Sequence, residues 1–507
     1  MLRSLSVVGS FTLLSRILGF ARDIVIATLF GATAGADAFL VAFKIPNFMR
    51  RLFAEGAFSQ AFVPVLSDYK NNHPEKVRHL IDHVAGTLGL VLLILTGLGI
   101  LFAPYLIMLF APGFLDEPYK YQLAVEMLRI TFPYLMLISL TAFAGGILNS
   151  YGHFSSPAFS PVILNLCMIS AAWWFSQYFQ EPIIALAWGV LISGFLQFAF
   201  QIPFLMKLNL VPRPTFSKQT DEGVGRILRL MLPVLFSVSV SQISLLIDTL
   251  MASFLVTGSI AWLYYADRLL EFPIGVFGVA LATVVLPRLS GLAARNAQED
   301  YNKTLDWSLR WVFLVGVPST VGLMILSKPI FATLFYRGQF GIADVEMSAN
   351  ALIAYSIGLL GFVLIKILAS GFFARQDTKT PTKVAFISIS TNIVLNFVFI
   401  WSLAHVGLAL STALAATLNA SLLYFYLRKQ NAFQPCVGWW VFLGRITIAS
   451  LVMFALLETV IPKIETWLHW SSAERFLQLG LWVSVAMILY FTVLWISGLK
   501  FRGLLRP

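Results

Sequence analysis

The chain has 507 residues, 58% of them hydrophobic and only 12% charged, with a formal net charge of +11 at pH 7. No single soluble core absorbs that much apolar surface, and hydrophobic runs that recur from end to end predict an all-α polytopic membrane protein. The positive charge is scattered through short loops between apolar runs, which is the pattern of membrane orientation, so no nucleic-acid partner is expected.

With a window of about 19 residues, fourteen transmembrane helices are predicted, at 4–30, 34–55, 80–104, 123–148, 158–178, 183–206, 230–256, 260–286, 308–327, 348–373, 384–403, 406–427, 438–461 and 477–498. The first is too long, and too polar at Arg16, Arg22 and Asp23, for a cleaved signal segment. Arg16, Gly19 and Asp23 fall at i, i+3 and i+7 and share a helical face, with Arg22 about 120° around. A cation at membrane depth costs about 2.5–3.5 kcal/mol, so several in apolar spans imply a polar cavity and an anionic client. The second span sets Asp37, Lys44 and Arg51 seven residues apart, beside Pro46, Asn47, Arg50 and Glu55. That stripe requires a wet surface, although Arg50, Arg51 and Glu55 can also cap the cytoplasmic end and snorkel.

Farther along, Ser237, Ser241, Ser244 and Asp248 share one face of the seventh span. Asn392 and Asn396 lie one turn apart in the eleventh, and Thr412 lies in the twelfth. One carboxylate with neutral oxygens suits a hard monovalent cation, and Asp248, Asn392, Asn396 and Thr412 form a candidate sodium site; interhelical hydrogen bonding is the competing reading for Asn396 and Thr412. The eighth span carries Asp267, Arg268 and Glu271, in which Arg268 pairs with the acids, binds an anion, or does both. Guanidinium forks match phosphate oxygens better than ammonium groups do, so a phosphate-bearing ligand fits Arg16, Arg22, Arg50 and Arg268.

Loops assigned alternately from a cytoplasmic N-terminus place most loop lysines and arginines inside, and only Lys120, Lys328, Arg337, Lys463 and Arg475 outside. Both termini are therefore expected in the cytoplasm. A faint repeat at a shift of 223 to 224 residues lays Pro64 over Pro287 and Pro157 over Pro381. It predicts two parallel six-helix lobes, 1–218 and 219–430, with two helices appended at 431–507. Prolines such as Pro46, Pro133, Pro161, Pro203, Pro233, Pro273 and Pro318 are expected to bend helices and free backbone groups. Cys167 and Cys436 suggest neither disulfide nor zinc, and His79 with His83 lacks a third ligand. No nucleotide-binding, metalloprotease or nucleophile-elbow motif occurs, so no catalytic residue is expected and the chain reads as a transporter, not an enzyme.

Four runs are distinctive: Ser15–Asp23, Asp37–Asn47, Arg50–Phe58 and Tyr265–Pro273. In these the chain resembles the MurJ (MviN) lipid II flippases of the multidrug/oligosaccharidyl-lipid/polysaccharide exporter superfamily, almost end to end. The resemblance implies two lobes enclosing a cavity, a groove on the last two helices for an isoprenoid tail, and a multi-pass protein of the bacterial inner membrane serving peptidoglycan synthesis and cell shape. The substrate implied is lipid II, with membrane lipids and cell-wall synthesis enzymes as candidate partners and no cofactor besides a candidate sodium ion. It places Arg16, Arg22, Asp37, Arg50, Arg268 and Glu271 where the family keeps cavity charges; Asp23 and Arg51 join them from the helical-face argument. Alternating access driven by membrane potential, and by sodium in some members, is expected. A flippase for another polyprenyl-linked glycan shares this physics, whereas a cation-coupled drug antiporter requires an acidic cavity.

Overall fold

A computed structural model describes residues 2–52, 58–215 and 222–499, with the side chains of 2–6, 236–243 and 245 also left aside. Glu55, Ser237, Ser241 and the middle of the Arg50–Phe58 run therefore lie outside the described residues or side chains. Every regular element among the described residues is helical. Among the described residues ten helices are long and apolar enough to cross a membrane, from Pro74–Leu101 to Ser472–Ile496. Apolar side chains such as Leu93, Leu101, Trp401 and Trp495 remain exposed on them, as lipid-facing surface requires.

The chain divides into two compact units, 1–258 and 259–507. The first holds α1 (Leu2–Phe30), α2 (Ala34–Arg50), α3 (Ser59–Asn72), α4 (Val77–Leu101), α5 (Ala103–Phe110), α6 (Pro118–Thr131), α7 (Tyr134–Ser150), α8 (Ser155–Ser170), α9 (Ile184–Lys207) and α10 (Glu222–Ala252). In it α1 packs on α8, α2 on α6, and α7 and α8 on α9. The second holds α11 (Ser259–Pro273), α12 (Ala280–Ala294), α13 (Gln298–Ile325), α14 (Ser327–Leu334), α15 (Ile342–Ile357), α16 (Leu359–Ala374), α17 (Lys379–Lys429), α18 (Trp439–Val460), α19 (Ile464–His469) and α20 (Ser472–Ile496). There α11 packs on α15, α12 and α17 on α16, and α18 on α20.

The repeat is plain in the element order. Helix starts Ala103 and Ser327, Pro118 and Ile342, and Ser155 and Lys379 are each separated by 224 residues. Compactness divides the chain later than the sequence repeat does, because α10 packs on α3, α4 and α5 of the first unit. α6 ends at Thr131 and Pro133 stands at the N-cap of α7, while Pro273 is followed directly by a π-helical stretch at Ile274–Val279, so two of the flagged prolines mark changes in helix geometry. The long α17 is two helices joined at Ala404, whose φ of 48° and ψ of −129° interrupt the helical path.

Two loop cations of the positive-inside count are not loop side chains. Lys120, in the first turn of α6, is 1% exposed, and Arg475, near the start of α20, is 6% exposed. Arg475 donates to the carbonyls of Trp467, Leu468, Ala332 and Tyr336, closing the C-terminal ends of α14 and α19 against α20. Short apolar surroundings hid this from hydropathy, which sees a cation between spans and reads orientation.

Candidate functional site

The sequence patterns place polar clusters on apolar helices of both units. In α1 the Arg22 guanidinium is buried and forks onto one oxygen of its neighbour Asp23, at 3.0 and 2.7 Å. Its third nitrogen donates to Asn165 Oδ1 on α8 at 3.1 Å, and Asn165 in turn donates to the Ser15 carbonyl at 2.9 Å. Asn165 thus satisfies both the buried cation and a helix carbonyl, which lowers the penalty of holding a charge inside the packing. Sequence reasoning missed it, because a lone Asn in an apolar span carries no periodic signal. Arg16, nearly two turns earlier, is exposed.

Along α2 the expected stripe separates into different environments. Asp37 is buried against Lys120 Nζ at 3.3 Å and accepts from the Gly258 amide at 2.7 Å. Lys44 hydrogen-bonds Thr249 of α10. Arg50 is half-buried and forks onto Asn47 Oδ1 at 2.9 and 2.7 Å, while Arg51 is exposed and its backbone amide closes the helix onto Asn47 and Phe48.

In the second unit Arg268 Nη1 meets Glu271 Oε2 at 2.9 Å and Nη2 donates to the Tyr264 hydroxyl at 3.0 Å, with the guanidinium over the Tyr264 ring. The side chains of Arg268 and Glu271 are 33% and 53% exposed, so this pair is reachable in a way that Arg22 with Asp23 is not. In α17, Asn392 donates to Thr412 Oγ1 at 3.2 Å and Asn396 to Asn392 Oδ1 at 3.4 Å, both asparagines buried. Asp248 and Ser244 are half-buried on α10 of the first unit. Among the described residues no group of three His, Cys, Asp or Glu side chains is arranged to hold a metal.

Charged and amide groups set into apolar, membrane-length helices mark a polytopic membrane transporter and not an enzyme. The family described as "Lipid II flippase MurJ" matches residues 26–477. Among curated relatives, "Probable lipid II flippase MurJ" of Vibrio cholerae is 46% identical over 99% of this chain and 97% of its own length. "Lipid II flippase MurJ" of Burkholderia cenocepacia is 43% identical over 98% of both. A solved structure titled "Lipid II flippase MurJ, inward closed conformation" superposes with a TM-score of 0.82 at 30% identity, covering 98% of this chain and 99% of that one. An inward-facing multidrug transporter of the MATE family matches with a TM-score of 0.69 at 16% identity, which is a likeness of fold alone. The chain belongs to the MurJ lipid II flippase family.

Proposed function

We propose that the protein moves lipid II, undecaprenyl-pyrophosphoryl-MurNAc-pentapeptide-GlcNAc, from the cytoplasmic to the periplasmic leaflet of the bacterial inner membrane by alternating access. The observation that carries this reading, beside family membership, is that Arg16 is exposed and Arg268 half-exposed on otherwise apolar helices. An exposed guanidinium at that depth is retained against its insertion cost when an anion uses it. Pyrophosphate oxygens match the fork of Arg268, and a phosphate that takes the place of Glu271 gives the ligand a differential contact with which to shift the conformation. Arg22 acts in the same way only after exchanging Asp23, so its part is to set the local charge and to capture late; Arg50 and Arg51 assist at the cytoplasmic entrance.

Moving sugars, peptide and phosphates through hydrocarbon unaided strands polar groups at several kcal/mol each. A protein path removes that penalty while the isoprenoid tail stays in lipid. The membrane potential, negative inside, favours outward travel of the anionic headgroup at about 2.3 kcal/mol per charge per 100 mV. Inward return of sodium through Asp248, Asn392, Asn396 and Thr412 is a coupling route with the same sign. Fourteen crossings with both termini cytoplasmic complete the proposal: α17 counts twice across Ala404, and α1, α2 and α10 join the other helices of membrane length.

The test is depletion of the native protein with lipid II exposure measured at the periplasmic face, complemented by Arg16→Ala, Arg22→Ala, Arg268→Ala and Asp248→Ala. The arginine variants are expected to fail. Full restoration by all four variants overturns the site assignment. A wild type that restores export of another lipid-linked glycan but not of lipid II overturns the substrate.

A further inference from the structure

The two repeats make the same contact with different chemistry. In the first, Asp37 of α2 meets Lys120 of α6 at 3.3 Å. In the second, the counterparts 225 and 224 residues later are Trp262 of α11 and Asp344 of α15, and the indole donates to the carboxylate at 2.9 Å. The second version is a neutral donor on an acid whose other oxygen caps its own helix through the Gly341 amide at 2.9 Å. An indole has a single N–H and stays neutral, so it carries no charge that needs a second acid. The first version has one: Lys120 Nζ lies 3.5 Å from Glu117 Oε1, and that carboxylate is 44% exposed while Lys120 and Asp37 are 1% exposed.

Both partners of the first pair also hold the segment that precedes α11. Gly258, at φ +99°, donates to Asp37 at 2.7 Å, and Thr257 shares its hydroxyl between Glu117 at 3.1 to 3.2 Å and Lys120 at 3.3 Å. Gly113 donates to Ser253 Oγ at 3.1 Å, and a Cβ on Gly113 would lie 2.2 Å from the Ser253 carbonyl oxygen. The segment 253–258 is thus fastened to the starts of α2 and α6, and it is covalently continuous with the helix that carries Arg268.

We infer that Lys120 is a positioning residue for transport: it holds Asp37 aimed at the Gly258 amide, and passes to Glu117 when that segment lets go. The physical ground is that a buried ammonium cannot be left alone. With a single acid it would lock the segment in place; with a second, half-exposed acid one turn earlier on the same helix it always keeps a partner, so release of Asp37 carries a small penalty. The second repeat uses a neutral indole at the equivalent place. This rests on the alternating-access reading given above.

The experiment uses the full chain in cells, with Cys167→Ser and Cys436→Ser, and a reporter Ala36→Cys beside the buried carboxylate. A membrane-impermeant maleimide is applied from the periplasmic face, and lipid II export is measured in parallel. Lys120→Met is expected to raise labelling roughly tenfold, Lys120→Arg to stay close to the parent, and Glu117→Gln, which still accepts from Thr257, to lower labelling and slow export. Combined with Asp37→Asn, Lys120→Met adds nothing further if it acts only through Asp37. Unchanged labelling in Lys120→Met at normal membrane level, a further rise in the double variant, or increased labelling in Glu117→Gln overturns the inference. Should Lys120→Met fail to accumulate, the sign of the Glu117→Gln effect decides alone. Labelling reports the segment whatever the cargo, so a wrong substrate shows as absent lipid II export by the parent while the labelling pattern persists.

Discussion

Asn165 illustrates what a single neutral side chain does for a buried charge. It holds the Arg22 guanidinium and the Ser15 carbonyl at once, and replacing it by Leu leaves a buried donor and acceptor without it. Such loss costs about 1–3 kcal/mol, so Asn165→Leu is expected to lower the thermal midpoint in detergent, whereas Asn165→Gln or Asn165→Asp loses less. An unchanged midpoint in Asn165→Leu would show that the Arg22 and Asp23 pair stands alone. At the rim of the first unit, the Arg226 guanidinium and then the Asn72 amide hold the Asp68 carboxyl below its ordinary value. A depressed folded-state pKa gives stability that is present above the ordinary carboxylate range and lost as pH falls through the depressed value. The tie between α3 and α10 is therefore expected to persist down to about pH 4 and to weaken only below it, measured as protease sensitivity of the segment between α9 and α10. Asp68→Asn should remove that pH dependence.

Helix contacts depend on small residues and on backbone caps. Gly358 and Gly361 bring α16 onto the second half of α17: a Cβ at Gly358 would lie 2.5 Å from Ala413 Cα, and one at Gly361 would lie 2.9 Å from the Thr417 nitrogen. Backbone cannot yield as a flexible side chain can, so Gly358→Leu is expected to destabilise by about 1–3 kcal/mol and to reduce the folded fraction in fluorescence-detected size exclusion. Asp306 performs a comparable service for the appended helices. It accepts from the Cys436 amide, the Trp439 indole and Arg310, at 2.9, 2.6 and 2.7 Å, and so fixes the start of α18 against α13. Arg475 secures the other end through four carbonyls. Arg475→Lys keeps the charge but loses the fork, and it is expected to behave as a stability variant, with lower thermal midpoint and normal lipid II export per folded molecule.

For the molecule as a whole, hydropathy and the faint 224-residue repeat made the helical class, the membrane and the repeated order readable, because each depends on period and length. The resemblance supplied the family. Partner choice did not follow from either. Nothing in the spacing of Asp37, Lys44 and Arg51 tells that they meet Lys120, Thr249 and solvent respectively, since those partners come from distant stretches. Lys120 and Arg475 look like loop cations because burial by tertiary packing leaves no local mark. Transport by alternating access predicts a further whole-molecule result: collapsing the membrane potential should lower export, and if Asp248 couples sodium, Asp248→Asn should abolish any sodium dependence without abolishing lipid II binding. Persistence of sodium dependence in Asp248→Asn removes that route.

The most direct check is the affinity of the purified protein for lipid II, compared between wild type, Arg16→Ala, Arg268→Ala and Arg268→Lys, with undecaprenol carrying no phosphate as control ligand. If exposed guanidinium groups recognise the pyrophosphate, the alanine variants lose roughly tenfold or more in affinity, Arg268→Lys loses part of that, and the phosphate-free ligand is indifferent to all three. Equal binding of lipid II by all four proteins would contradict the account at its base.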